Sequence, residues 1–183
     1  MSSVLILPCR FERAVDLPAS PEAVFAHLDD FELLGAHMMR GSWMMPGSRM
    51  FYALDAAQGR KVHSRVTLTG SVLGLKLEIV EEIIERVPPL SKAWETTGPQ
   101  RMLVLAGYRM GFELAPRHDG CHLQVFIDYA LPFSGIERWL GRVAGSAYAR
   151  WCVNRMIADA VERFATVPHP AEHALGAIGH ARH

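Results

Sequence analysis

Residues 19–30 read Ala-Ser-Pro-Glu-Ala-Val-Phe-Ala-His-Leu-Asp-Asp, and this stretch decides how the chain begins its fold. Ser20 is a favoured N-cap residue, because its hydroxyl can accept a hydrogen bond from the first helical turn. Pro21 suits the first helical position, where its missing N–H would have no partner anyway. Apolar side chains then recur at helical spacing from Val24 to Leu28. The stretch therefore predicts a short helix that ends near Asp29-Asp30.

The residues just before this helix have the pattern of a strand. Residues 10–17 place Phe11, Val15 and Leu17 on one face and charged side chains on the other. A period of two is typical of a strand with one solvated face. The chain therefore opens with a strand that leads at once into one or two short helices.

The middle of the chain shows strand patterns separated by turn signals. The predicted strands are 50–54, 62–69, 75–84, 92–97, 102–114 and 122–129. Val62 is expected to share a face with Val66, and residues 55–60 read as a hairpin loop. Asp119-Gly120 is a second hairpin signal. Six or seven consecutive strands joined by short turns predict one curved antiparallel sheet, and so an α+β fold.

The period changes to three or four residues after Ser134. The expected apolar stripe consists of Ile136, Leu140, Val143, Ala147, Trp151, Ile157 or Ala158, and Val161. Such a stripe, continued to about Phe164, predicts one long C-terminal helix of roughly 30 residues. The helix can bury this stripe only against the concave face of the sheet. A curved sheet and a straight helix then leave space between them, unless bulky side chains fill it.

Length and composition fit one globular domain. The chain has 183 residues, and we place the domain at 10–166, after an N-terminal extension (1–9) and before a flexible tail (167–183). The tail holds four of the nine histidines. Lys plus Arg and Asp plus Glu both total 19, and this balance argues against a nucleic-acid partner.

The cysteines and the apolar runs indicate the cellular compartment of the protein. Cys9, Cys121 and Cys152 are an odd number without a C-x-x-C pair, so we expect free thiols in a reducing cytoplasm. The N-terminus lacks the features of a signal peptide, and no run of 18 apolar residues predicts a membrane span. We therefore expect a cytoplasmic protein.

The order of elements, together with residues 19–30, resembles the helix-grip fold of the START-related superfamily (SRPBCC). That superfamily includes birch pollen allergen, polyketide cyclases and lipid-transfer domains. The resemblance extends over residues 10–165. It implies binding of a hydrophobic or amphipathic small molecule between sheet and helix, with chemistry in a minority of members. Many members follow the aspartate with a Pro-x-Trp-type turn, whereas residues 31–37 here are Phe-Glu-Leu-Leu-Gly-Ala-His, so the mouth is expected to differ.

The candidate ligand-cavity residues are mostly apolar or aromatic side chains that we expect to point inward, as ligand pockets require. They are Phe25, His37, Met38, Trp43, Tyr52, Trp94, Tyr108, Met110, Phe112, Val125, Ile127, Tyr129, Tyr148 and Trp151. The alternative is that the same side chains fill the interior completely. Trp94 lies where alternation does not determine its side, so it is either a pocket wall or a core aromatic.

A methionine-rich segment, 38–50, is the most unusual stretch. It contains five methionines and one tryptophan, and methionine adapts to irregular apolar shapes. The segment is either a lid over the pocket, a loop packed on the core, or a dimer contact. His37 beside it is a candidate acid or base, although a lone histidine is more often structural.

Carboxylates and metal motifs give weaker signals. If Glu81 continues the apolar face of its strand it would be buried with a raised pKa, but we expect a bulge or the end of the strand there instead. Asp29-Asp30 is interpreted as a helix end. Residues 169–173 spell H-x-x-E-H, yet Pro170 argues against the helix that a zinc site needs. Residues 118–122 are better explained as a turn, so we predict no metal and no cofactor.

Three functions remain open. The first is binding or transport of a hydrophobic small molecule such as a lipid, quinone or polyketide. The second is a polyketide cyclase or aromatase that uses Tyr, His or Arg residues of the cavity. The third is a non-catalytic interaction or chaperone-like protein. Two or more charged or imidazole groups inside the pocket would favour the enzyme. The expected partner is an apolar ligand, with a homodimer as a further option.

Overall fold

The computed structural model describes residues 6–31, 49–72, 75–98, 102, 104–132 and 144–165. These ranges contain seven strands and two helices. The strands are β1 (Cys9–Leu17), β2 (Arg49–Leu54), β3 (Arg65–Val72), β4 (Leu75–Val87), β5 (Ser91–Thr96), β6 (Gly107–Arg117) and β7 (Gly120–Ala130). The helices are α1 (Pro21–Leu28) and α2 (Ser146–Phe164).

All seven strands form one antiparallel sheet, in the order β1-β7-β6-β5-β4-β3-β2. Consecutive strands are neighbours except at β1, which pairs with β7. The chain between β1 and β2 carries α1, and α2 packs against β1 and β7. The predicted α+β architecture, a curved antiparallel sheet with a C-terminal helix, is confirmed.

Helix α1 forms as its sequence predicts. The Ser20 hydroxyl accepts a hydrogen bond from the Ala23 N–H at 3.4 Å, and Pro21 occupies the first turn. The helix ends where the Asp29 N–H bonds the Phe25 carbonyl at 2.8 Å. Its apolar side chains are buried, which fixes α1 against the sheet.

Strand β3 begins at Arg65, three residues later than predicted, because Asp55 organises the preceding loop. Its carboxylate accepts hydrogen bonds from the Ser64 hydroxyl at 2.6 Å and the Arg65 N–H at 3.0 Å. Val62 lies in this loop and is 44% exposed, so the expectation that it shares the buried face of Val66 is wrong.

Strands β4 and β6 also differ from their predicted bounds. Strand β4 runs past Ile84 to Val87, because a bulge between Ile83 and Glu85 shifts its register with β5 without ending it. Strand β6 starts at Gly107 rather than at residue 102 and continues to Arg117. The Asp119-Gly120 hairpin is confirmed, with Gly120 at φ +145°.

Helix α2 ends at Phe164 as predicted, and its predicted beginning lies outside the described residues. Its buried side chains are Ala149, Cys152, Val153, Met156, Ile157, Asp159, Ala160 and Phe164. Of the predicted stripe, Ile157 is buried, Trp151 and Val161 are half-buried, and Ala147 is exposed, as is Ala158, the alternative to Ile157. The stripe did not include Ala149 and Ala160, which are fully buried and let the helix approach the sheet closely.

The core is closed at the end of the sheet where α1 and α2 meet. Phe112, Leu123, Val125 and Val153 are all fully buried there. The ring of Phe25 from α1 meets that of Phe112 edge to face, with 5.6 Å between their centroids. Neither helix among the described residues combines the length and the hydropathy that a membrane-spanning helix needs.

Candidate functional site

Glu81 is a buried carboxylate on the inner face of β4. It follows Leu77 and Ile79 in the alternation of that strand and is only 5% exposed. Its register partners are Val66 on β3 and Thr96 on β5. The bulge in β4 comes after this position, so the expectation that a bulge or the strand's end keeps Glu81 out of the interior is wrong.

Two aromatic side chains interact with the Glu81 carboxylate. The Tyr108 hydroxyl donates a hydrogen bond to Oε1, and the Trp94 indole favours the ionised form of the carboxyl. Tyr108 lies on β6, two strands away from β4, which corresponds to roughly 10 Å. Its side chain therefore spans β5, where the Thr96 hydroxyl accepts a hydrogen bond from the Tyr108 N–H at 3.1 Å.

The environment of Glu81 favours its neutral form. Burial raises its pKa to about 7, and this effect outweighs the Tyr108 hydrogen bond, the Trp94 indole and the attraction of Lys92, which all lower the pKa. Burial, together with the nearby Glu81 charge, raises the pKa of Tyr108 well above its ordinary value. The carboxyl therefore titrates near neutral pH while its tyrosine partner stays protonated.

Helix α2 and strand β2 bring three more polar side chains to the same region. Tyr148 and Cys152 lie one helical turn apart on α2, close enough for each to shift the pKa of the other. Burial raises the pKa of the Cys152 thiol to about 12. Burial and the Glu81 charge also raise the pKa of Tyr52 on β2. The side chains of this polar cluster are Glu81, Trp94, Tyr108, Tyr148, Cys152 and Tyr52.

The polar cluster lies where the inward-facing side chains are no longer completely enclosed. Tyr52, Tyr108, Tyr148 and Trp151 are only half-buried, in contrast to the fully buried Phe112. The Tyr148 and Trp151 rings stack with 5.7 Å between their centroids. The interior therefore changes from a packed core at one end to partly accessible aromatic surface at the other.

The predicted cavity residues divide into three groups. Phe25, Trp94, Met110, Phe112, Val125, Ile127 and Tyr129 are buried. Tyr52, Tyr108, Tyr148 and Trp151 are half-buried around the polar cluster. His37, Met38 and Trp43, with all of the methionine-rich segment before Arg49, lie outside the described residues.

Sequence reasoning missed an ion network beneath α1. The Asp29 carboxylate accepts hydrogen bonds from Lys92 Nζ at 2.6 Å and Arg86 Nη2 at 2.8 Å. Lys92 is fully buried, and its ammonium lies 4.3 Å from the centre of the Phe31 ring. Burial alone would raise the Asp29 pKa, but these two cations hold it below its ordinary value. The network anchors the end of α1 to β4 and β5.

A second ionisable pair joins the two helices. His27 Nε2 on α1 lies 2.8 Å from Asp159 Oδ2 on α2, and both side chains are nearly buried. The His27 ring also meets Phe164 edge to face, with 5.6 Å between the centroids. The sequence predicts that Asp159 lies on the C-terminal helix. It does not predict the contact, because His27 is 132 residues away in the chain.

A separate groove of about 370 Å³ lies on the outer face of β2–β4. Phe51, Thr69, Lys76 and Glu78 are among its lining residues. Phe51 is 66% exposed. This groove is on the opposite side of the sheet from the polar cluster.

Comparison with protein families identifies the family of this chain. Residues 8–167 match the family described as polyketide cyclase / dehydrase and lipid transport. The chain belongs to this family. No curated protein matches the sequence. The family includes both catalytic and lipid-transporting activities in its description, so membership supports binding of hydrophobic ligands.

Solved structures show the same fold at low sequence identity. A solution structure from Thermobifida fusca aligns with a TM-score of 0.59 and 17% identity, covering 90% of this chain and 98% of that one. The allergen Ara h 8.0201 aligns with a TM-score of 0.56 and 11% identity, covering 84% of this chain and 98% of the allergen chain. Norcoclaurine synthase from Thalictrum flavum, solved with dopamine and hydroxybenzaldehyde, aligns with a TM-score of 0.58 and 12% identity, covering 85% of each chain. These likenesses show that the chain has the helix-grip fold.

Proposed function

We propose that this protein binds a hydrophobic small molecule, such as a lipid, quinone or polyketide-like compound, between the sheet and α2. The observation that carries the proposal is the partly accessible aromatic surface of Tyr52, Tyr108, Tyr148 and Trp151 beside a closed core. Ligand sites are largely apolar with a few placed polar groups. The polar cluster supplies such groups, and family membership supports the same function.

The proposal is tested by looking for the ligand directly. Native mass spectrometry of freshly purified protein is expected to show a co-purifying apolar compound, and oleic acid, decylubiquinone or 2-naphthol is expected to raise the melting temperature. Cys152→Phe would place a bulky ring in the polar cluster and is expected to abolish the shift. Ala158→Phe, on the exposed face of the same helix, is the matched control. No bound compound and no shift from any of the three would refute the proposal.

The second candidate function is catalysis of the polyketide cyclase type. The buried Glu81, with a pKa of about 7 and a tyrosine donor beside it, favours this function because a general base works best near the ambient pH. The test is hydrogen–deuterium exchange at the methyl group of 2-acetylnaphthalene in D₂O, followed by NMR. Catalysed exchange that Glu81→Gln abolishes would support an enzyme. Ligand binding without catalysed deuterium exchange would favour a binding protein over an enzyme.

We also propose that the ligand-binding domain spans residues 10–166 and works in the cytoplasm. The three cysteines are free thiols, and two of them, Cys121 and Cys152, are buried, which suits a reducing compartment. A dimer remains a prediction, and light scattering after gel filtration measures it.

A further inference from the structure

We propose that the polar cluster selects apolar ligands that carry a hydrogen-bond-donating hydroxyl, such as a phenol, a hydroquinone or a long-chain alcohol, with the Glu81 carboxylate as the acceptor. This inference rests on the proposed function, since it names the ligand chemistry of the same site. It is based on how many donors and acceptors the described side chains supply and on the charge of the site.

The first argument is an accounting of hydrogen bonds. An ionised carboxylate offers about four acceptor positions, and the Tyr108 hydroxyl occupies one of those on Glu81. The Tyr108 proton is used in this contact, so the Tyr108 oxygen is left as an acceptor. Glu81 and Tyr108 therefore have acceptor positions to spare, and a ligand that donates a hydrogen bond can fill them.

The second argument concerns charge. None of the ion pairs within the described part of the chain includes Glu81. Lys92 is the cation that attracts it, but the Lys92 ammonium is held by Asp29 at 2.6 Å. An anionic ligand, such as a fatty-acid carboxylate, would place a second negative charge beside an uncompensated buried one. Like charges in a poorly solvated site repel strongly, so such ligands are disfavoured while Glu81 is ionised.

Among the described residues, the remaining groups that face Glu81 do not change charge near neutral pH. From β2, β6 and α2 these are Tyr52, Tyr108 and Tyr148, and α2 also contributes Cys152; the pKa of each is raised. The β3 and β5 register partners of Glu81, which are Val66 and Thr96, do not titrate, and neither does the Trp94 indole. The charge of this site near pH 7 is therefore set by Glu81.

The site is expected to discriminate between ligands that share one apolar skeleton but differ in hydrogen-bonding group or charge. A hydroquinone donates through its hydroxyls, whereas the corresponding quinone only accepts. An alcohol donates without charge, whereas a fatty acid at neutral pH is an anion. Among the ligands allowed by the proposed function, the site therefore favours hydroquinones, phenols and alcohols over quinones and fatty-acid anions.

The test uses three probes with the same naphthalene ring: 2-naphthol, 2-methoxynaphthalene and 2-naphthoate. Dissociation constants are measured by isothermal titration calorimetry from pH 6 to pH 8. A hydrogen bond to a charged group predicts that 2-naphthol binds about tenfold more tightly than its methyl ether at pH 8. As pH falls to 6, naphthol affinity is expected to decrease and naphthoate affinity to increase, because Glu81 becomes neutral and can donate.

Glu81→Gln is expected to remove the opposite pH slopes and to reduce the naphthol preference at pH 8 to less than threefold. Glu78→Gln changes an exposed carboxylate on the same strand and is expected to behave like the unaltered protein. Equal affinity for naphthol and its ether, or parallel pH slopes for naphthol and naphthoate, would overturn the inference while leaving the proposed function intact. Failure of all three probes to bind, together with the absence of any co-purifying ligand, would refute both.

Discussion

The Glu81→Gln substitution is expected to raise the free energy of unfolding, relative to that of the unaltered protein, more at pH 8 than at pH 5. Burial raises the Glu81 pKa from 4.5 to about 7 in the folded protein. A raised folded pKa means that the stabilising contribution of the protonated carboxyl is fully present below pH 4.5 and is lost as pH rises through 7. A shift of this size corresponds to about 3 kcal/mol in total, of which about 2.5 kcal/mol falls between pH 5 and pH 8.

The glutamine variant removes this titration and keeps the shape of the side chain. Urea unfolding at pH 5 and pH 8, read by circular dichroism, gives the free energy of unfolding of both proteins. The difference between them is expected to move by about 2.5 kcal/mol in favour of the variant at the higher pH. Glu78→Gln, on the exposed face of β4, is expected to show no such change. A difference that is the same at both pH values would refute the argument that Glu81 is buried and uncompensated.

Three further predictions concern the framework that holds the site. Lys92→Met breaks a fully buried ion pair with Asp29 and is expected to lower the unfolding free energy by about 3 kcal/mol in urea titrations. Phe112→Ala, in the closed core, is expected to cost about 3–5 kcal/mol in the same assay, whereas the exposed Phe51→Ala should change it by less than about 0.5 kcal/mol. Gly120→Ala would put a Cβ 1.9 Å from a β1 carbonyl oxygen at φ +145°, so its melting temperature is expected to fall by several degrees, and an unchanged value would contradict the described hairpin.

The sheet and α1 could be predicted because their signals are local. Ser20 and Pro21 mark the start of α1 within a few residues of the helix they begin. In β7 the alternation of buried and half-buried residues follows the alternation of apolar and polar side chains from Cys121 to Val125. A pattern of this kind depends only on the period of the element, so the sequence carries it completely.

The errors arose where a distant or small side chain decides the outcome. The start of β3 depends on hydrogen bonds to Asp55, ten residues before Arg65. The buried face of α2 depends on how closely Ala149 and Ala160 let the helix approach the sheet, and bulk alone does not reveal that. Periodicity identifies a strand or a helix, but side-chain size and hydrogen bonding set its limits and its orientation.

The polar cluster was the part least accessible to sequence reasoning. Trp94 and Tyr108 were named as candidates, but nothing in their spacing showed that Tyr108 donates a hydrogen bond to Glu81. That contact requires β6 and β4 to lie on either side of β5, an arrangement that follows from the pairing of whole strands. Alternation did allow a buried Glu81, but we expected a bulge or the strand's end there instead. Burying a carboxylate carries a general energetic cost.

That cost is also the reason to connect Glu81 with function. Asp29 is buried as well, but Lys92 and Arg86 neutralise it, and the network stabilises the fold around α1. Glu81 has a hydrogen-bond donor in Tyr108 yet no neutralising partner within the described residues. Its raised pKa means that its ionised form destabilises the folded protein. A glutamine could accept the same hydrogen bond without this penalty. A structural role therefore accounts for Asp29, whereas a carboxylate at position 81 is better explained by a ligand whose hydroxyl bonds to it.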